Sequence, residues 1–257
     1  VGDQMKNHQG ISGRMFSTLG KNNVNIRAIA QGASEKNIST VIASKDIRKA
    51  LNSLHNAFFE NQVKHLNLFV VGVGNVGGKL LEQIKTQEVY LLENLQLKIN
   101  VVGMANSKKM LFSEEGIDLN TWKNDLLDNG IPLDLDAFHE TVKSYNLSNS
   151  IFVDNTANKD IAQLYADYLK ESVAVVCCNK IACSSEYEHY LHLKKLAREY
   201  NAPFLFETNV GAGLPIINTL NNLISSGDQV RSIQAVLSGS LNFIFNNFAP
   251  DYPFYDV

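Results

Sequence analysis

The stretch F-V-V-G-V-G-N-V-G-G at residues 69–78 decides how this chain is read. An apolar run breaks there into Gly72, Gly74 and Gly77, the spacing G-x-G-x-x-G. Glycine is common and this spacing arises by chance in many chains, so the flanks carry the reading. Leu66, Leu68, Phe69, Val70 and Val71 form the apolar run of a parallel strand buried on both faces, and Lys79, Leu80, Leu81 and Ile84 open a helix directly after the glycines. Strand, glycine turn, helix is the setting a dinucleotide cradle needs. Gly72 allows the tight turn, Gly74 lets the backbone approach a pyrophosphate, and Gly77 lets the helix pack against the strand. Asn75 and Val76 belong to the same candidate cofactor turn, where the helix N-terminus presents unpaired N–H groups and a partial positive charge.

Downstream, the pattern repeats. A second strand over residues 97–104 ends at A-N-S-K-K, where an NAD-selective site would place an acid to hold the ribose hydroxyls. No acid stands there. Asn106 and Ser107 can hydrogen-bond a 2′-phosphate or a hydroxyl, and Lys108 and Lys109 add positive charge, which favours NADP over NAD; a solvated lysine pair is the plainer alternative. S-I-F-V-D-N-T-A-N places a strand at residues 151–153 with Asn155 and Thr156 at its carboxyl end, the end that faces the ligand crevice in open α/β sheets. Residues 160–170 predict a one-sided helix, and V-A-V-V-C-C another buried strand, at whose end Asn179 and Lys180 reach the same edge. An ammonium there could orient a substrate oxygen or shuttle a proton.

Ser185 to Glu188 has the S-x-x-E form of a capping box, opening a helix on which His189 and His192 read as surface histidines. A strand over residues 204–206 leads into E-T-N-V-G-A-G-L-P, where Glu207 and loop carbonyls could cage a cation; a rigid turn before a helix at 216–224 is the alternative. S-I-Q-A-V-L-S-G-S-L-N-F-I-F predicts a strand running into Ser238, Gly239 and Ser240 and a further helix.

Upstream, residues 1–62 read as a strand remnant, a helix at 12–21, two strands and a helix from Asp46, the β-α-β-β-α order of a small ferredoxin-like sandwich. Asp3, Asp46 and His8 are isolated, with no catalytic constellation among them. The short polar stretch at 61–67 suggests a domain boundary near 60–65.

With 257 residues, 45% hydrophobic and 19% charged, the chain can bury a sizeable core. Its 23 basic and 26 acidic residues leave a formal charge of -3 with no basic block for a phosphate backbone, which disfavours nucleic acid as a partner. No apolar run approaches the roughly twenty residues of a membrane span, and the start lacks the shape of a signal peptide, which predicts no membrane association and a cytoplasmic setting. Cys177, Cys178 and Cys183 lack the paired spacing of a zinc site and read as reduced thiols.

Taken together, G-V-G-N-V-G, V-D-N-T, the N-K after a buried strand, N-V-G-A-G-L-P-I-I and L-S-G-S-L-N-F-I resemble homoserine dehydrogenase in order and spacing over residues 66–248. The earlier stretch N-N-V-N-I-R-A-I-A-Q-G-A-S-E-K-N-I-S is similar to the second ACT module of the fused aspartokinase–homoserine dehydrogenases. The resemblance implies an ACT module over 1–62, a Rossmann doubly wound parallel sheet over 63–206 and the start of an α+β substrate and dimerisation domain over 207–257. It implies Lys180 as the acid/base lysine, Gly72, Gly74 and Gly77 as the cofactor turn, and Glu207 with Val210, Ala212 and Leu214 as a loop for a monovalent cation such as sodium. Gln31, followed by Ser34 and Glu35, would be the effector-site glutamine, with threonine the effector by family analogy; a glutamine merely satisfying a turn is the alternative. The implied reaction is reversible NAD(P)H-dependent reduction of aspartate 4-semialdehyde to homoserine by a homo-oligomer.

The last residues, A-P-D-Y-P-F-Y-D-V, depart from the family's continuation, and no position matches its later substrate-binding aspartate and second lysine. The sequence therefore reads as an internal part of a bifunctional enzyme, expected to bind NADP and to turn over slowly or not at all. A nucleotide-binding and amino-acid-sensing regulatory unit is the alternative. A third reading, aspartate-semialdehyde dehydrogenase, needs a thiolate, which the apolar surroundings of Cys177 and Cys178 disfavour.

Overall fold

The computed structural model describes residues 1, 2, 5–34, 36–59, 63–236 and 238–248. Asp3, Glu35, the boundary at 62/63 and the terminal stretch 249–257 lie outside the described residues. The chain divides into a compact unit of residues 1–206 and a second that begins at Glu207.

The chain opens with α1 (Ile11–Lys21), β1 (Ala28–Gln31), β2 (Ile38–Val41) and α2 (Ile47–Phe58). β1 and β2 pair antiparallel, Ala28 opposite Val41 and Gln31 opposite Ile38. Leu19, Val24 and Ala50 form a small buried core with Met15, Ile26 and Leu54 packed against it. The strand remnant expected before α1 is not formed: the described residues there hold a 3-10 turn, Met5–Asn7, and no ladder partner.

The larger sheet follows. Its strands are β3 (Lys64–Val71), β4 (Leu97–Ala105), β5 (Lys109–Phe112), β6 (Ile131–Pro132), β7 (Ser150–Asp154), β8 (Ala174–Cys177) and β9 (Phe204–Leu205). They lie in the order β6-β5-β4-β3-β7-β8-β9. β4, β3, β7, β8 and β9 are parallel, while β5 and β6 add antiparallel at one edge. The helices are α3 (Asn75–Leu95), α4 (Trp122–Asp128), α5 (Leu135–Tyr145), α6 (Lys159–Gln163), α7 (Tyr165–Lys170), α8 (Ile181–Ser184) and α9 (Tyr187–Glu199).

Alternate residues of β3 enter different cores, as a strand covered on both faces requires. Leu68 and Val70 pack with Leu81 of α3 and Trp122 and Leu126 of α4. Phe69 and Val71 face Phe138 of α5, Tyr168 of α7 and Leu193 of α9. Phe152 stacks on Tyr168 with ring centroids 4.0 Å apart.

Three further expectations need correction. The helix over 160–170 breaks into α6 and α7 at Leu164, where bonds tighten to three residues' separation: Leu164 N–H to Ile161 at 3.1 Å and Asp167 N–H to Leu164 at 3.1 Å. The capping box at Ser185 is not made, because Ser185 already ends α8 and its hydroxyl turns back toward Ala182; α9 starts after Glu186 without a side-chain cap. The strand before Ser238 is absent among the described residues: Ile233 and Val236 are exposed and pair with no ladder, without which extended backbone gains no partner.

In the second unit, α10 (Ile216–Ser225) follows a turn at Glu207–Asn209, and α11 (Gly239–Asn247) starts where the Ser238 hydroxyl accepts the Leu241 N–H at 3.1 Å.

Candidate functional site

Four strand ends lie on one line across the sheet. Val71 pairs with Ala105 on one side and Asp154 on the other, and Asp154 pairs with Cys177. The loops that follow carry Gly72, Asn106, Asn155 and Cys178, so residues far apart in sequence leave the sheet at one level. β3 and β7 mark the point where the winding reverses, the position at which open α/β sheets bind ligands.

At that point the backbone is packed as only glycine permits. Gly72 has φ +88°, and a Cβ there would stand 2.7 Å from Thr156 Cγ2 and 2.9 Å from the Asn155 carbonyl. A Cβ at Gly77 would lie 2.1 Å from the Gly72 carbonyl oxygen, whereas one at Gly74 would meet nothing within 4 Å. The turn is closed around Gly72 and Gly77 and open at Gly74, the shape of a cradle whose backbone a phosphate can reach. Asn75 and Val76 are exposed on the first turn of α3, which has no side-chain cap and no acidic residue. Its amides and dipole are therefore directed at the opening.

The neighbouring loops add polar groups. Among the described residues Asn155 Nδ2 is buried without a hydrogen-bond partner, and it lies 3.1 Å from where a Gly77 Cβ would stand. A bound dinucleotide would supply the acceptor that such a donor needs. The residues thus fit a nicotinamide dinucleotide.

Asn106 Oδ1 accepts the N–H groups of Lys108 and Lys109, both at 2.7 Å, which builds the tight turn between β4 and β5. Lys109 Nζ donates to the Leu127 carbonyl, leaving Ser107 and Lys108 exposed at the tip.

Asn179 is 2% exposed; Nδ2 donates to Asp154 Oδ2 and the Asn158 carbonyl, each at 2.9 Å, and Oδ1 accepts the Ile181 N–H at 3.1 Å. Both its amide hydrogens are engaged inside the protein. Lys180, the next residue, is exposed. Thr156 N–H donates to Asp154 Oδ1 at 2.7 Å. Asp154 is a member of the site that sequence reasoning left without a role, although an acid closing an otherwise apolar strand is itself a signal. The Cys177 thiol, hydrogen-bonded to Cys183 and buried, and the Cys178 thiol, desolvated by burial, are both pushed up, which opposes a thiolate nucleophile.

Gln31 ends β1, exposed, opposite Ile38. Within the second unit, the Glu207 carboxylate accepts the Ile217 and Asn218 N–H groups, both at 2.8 Å, and so caps α10. Val210 and Leu214 are exposed, and Ala212 is left-handed at φ +50°.

Residues 72–207, more than half of the chain, match the family model described as the NAD binding domain of homoserine dehydrogenase. The chain belongs to the homoserine dehydrogenase family. The homoserine dehydrogenase model itself matches residues 215–257, and an ACT domain model matches residues 1–58. The bifunctional aspartokinase/homoserine dehydrogenase of Haemophilus influenzae is 44% identical over 95% of this chain and 30% of its own length. A chloroplastic counterpart from Arabidopsis thaliana is 40% identical over 100% of this chain and 28% of its own. The chain thus spans under a third of these two curated relatives. A hyperthermophilic archaeal homoserine dehydrogenase mutant solved in complex with NADPH superposes with a TM-score of 0.61 at 26% identity, covering 75% of this chain and 59% of that one.

Proposed function

We propose that this chain carries the homoserine dehydrogenase part of a bifunctional aspartokinase/homoserine dehydrogenase and catalyses reversible hydride transfer between NAD(P)H and aspartate 4-semialdehyde, giving homoserine. The observation that carries this reading is the closed glycine turn at Gly72 and Gly77 beside the unpartnered Asn155 amide, within a chain of this family. The nicotinamide supplies or accepts the hydride. The α3 amides and the open backbone at Gly74 hold the pyrophosphate, with Asn75 and Val76 in the same turn and Thr156 on the nicotinamide side. Lys180 delivers the proton to the reacting oxygen during reduction and receives it during oxidation.

Preference for NADP rests on Ser107 and Lys108 at the exposed tip and on the lack of an acid there. Asn106 shapes that tip through its turn, and Asn179 contributes by fixing the loop of Lys180. A monovalent cation at Glu207, Val210, Ala212 and Leu214, threonine recognition through Gln31, domain limits at 62/63 and 206/207, a homo-oligomeric state and a cytoplasmic setting belong to the same proposal. Among the described residues no helix is long and apolar enough to cross a membrane.

Homoserine oxidation with NADP or NAD, paired with NADPH fluorescence titration and repeated for Lys180→Ala, tests it. Turnover that collapses in the variant while NADPH binding persists supports the reading. Binding without turnover in the parent chain supports the nucleotide-binding regulatory alternative, and loss of both sinks the cradle.

A further inference from the structure

We infer that Asp154 is the positioning residue of this site: its carboxylate ties the loop of Thr156 to the loop of Lys180 and holds both at the glycine turn. The inference rests on the dehydrogenase reading for what Lys180 does, and on geometry alone for what Asp154 holds.

Asp154 is 0% exposed, so it cannot touch a substrate, and a buried carboxylate without donors would be strongly unfavourable. Three donors from three segments meet its two oxygens. Thr156 N–H reaches Oδ1 at 2.7 Å; the Tyr165 hydroxyl of α7 at 2.6 Å and Asn179 Nδ2 at 2.9 Å reach Oδ2. The orientation of the Asn179 amide is set independently, because its Oδ1 accepts the Ile181 N–H and its Nδ2 also donates to the Asn158 carbonyl. Burial pushes the Tyr165 phenol up, so it stays protonated and donates. Asn179 bonds across Lys180 to Ile181, which fixes the peptide carrying the lysine, while Thr156 is the side chain packed closest to Gly72. The carboxylate is therefore bonded to both walls of the crevice, and the Asn179 amide, which also reaches the Asn158 carbonyl, is the link it orients.

Asp154→Asn keeps the volume but sets an NH2 group against one of these donors, and Tyr165→Phe removes a single donor if the first variant folds poorly. Each is made in the whole chain alone and together with Lys180→Ala, with thermal melts to confirm folding. Displacing a reacting group by about 1 Å can cost roughly a hundredfold in rate, so we expect kcat to fall about 10- to 100-fold in Asp154→Asn with the homoserine KM within about threefold. Tyr165→Phe should give a smaller fall of the same kind. In the Lys180→Ala background either substitution should change the residual kcat by less than about twofold, because the group being positioned is gone.

Equal losses in both backgrounds, or an unchanged kcat in Asp154→Asn, overturn the inference. A parent chain that binds NADPH without oxidising homoserine sinks the dehydrogenase reading alone, and the cycle is then read on NADPH affinity. There, Asp154→Asn should weaken binding about tenfold in the parent and less than about twofold in Thr156→Ala, and independent effects overturn it. A parent chain that binds no NADPH overturns both.

Discussion

Gly77 sits against the carbonyl of Gly72: a Cβ at position 77 would stand 2.1 Å from that oxygen and 3.1 Å from Asn155 Nδ2. The obstruction is backbone, so no rotamer relieves it. Gly77→Ala must push α3 away from β3, with a stability loss of about 1–3 kcal/mol. Urea midpoints would register that loss, and NADPH titration should show at least a tenfold weaker complex. A variant with parental values for both would contradict the closed turn.

Gly74 predicts the opposite pairing of effects. A methyl there meets no atom within 4 Å, so Gly74→Ala should stay within about 0.5 kcal/mol of the parent in stability. The same methyl occupies the space through which a pyrophosphate would approach the α3 amides. Weaker NADPH binding at unchanged stability is expected, and undiminished affinity would place the phosphates elsewhere.

Glu207 makes two hydrogen bonds to the start of α10. Removing them in Glu207→Ala leaves two first-turn amides without acceptors at the positive end of the helix, a loss of about 1 kcal/mol. Hydrogen exchange at the Ile217 and Asn218 amides should accelerate several-fold. Parental protection at both would exclude the cap.

Alkaline pH should destabilise the first unit. Burial pushes the Tyr165 and Tyr168 phenols up, and the Cys177 thiol is also raised, by its hydrogen bond to Cys183 and by burial. Folding therefore retains protons that the unfolded chain releases above about pH 8.5 for cysteine and about pH 10 for tyrosine. Because the unfolded state binds fewer protons there, stability is complete below those values and falls as pH rises, by about 1.4 kcal/mol per pH unit for each group once its unfolded form has titrated. Urea unfolding at pH 7, 9 and 10.5 measures the slope; a flat profile would show that these groups ionise in the folded protein.

Much of this protein was legible because its information is local. An apolar run, three glycines and an amphipathic helix occupy about thirty consecutive residues from Leu66, and strand burial, turn strain and helix polarity follow from backbone geometry within that window. The two strands and two helices of residues 11–58 were legible for the same reason: period and turn residues act over a few positions. The carboxyl-end placement of Thr156 and Lys180 followed from strand ends alone.

What only the tertiary structure decided concerns partners distant in the chain. The hairpin of β4 and β5 places Lys109 at Leu127, and the break at Leu164 accompanies the reach of Tyr165 to Asp154. Glu207, a cation candidate by motif, also caps a helix, because the N–H groups of Ile217 and Asn218 return to it. Asp154 and Asn179 are 25 positions apart in sequence yet 2.9 Å apart in space. A polar side chain's role is set by which donors and acceptors surround it once water is excluded, and periodicity describes only which face of an element is buried. The sequence by itself therefore determined most of the core elements and the glycine turn, and the packed sheet determined which polar residues stand open at the strand ends and which are buried holding the others in place.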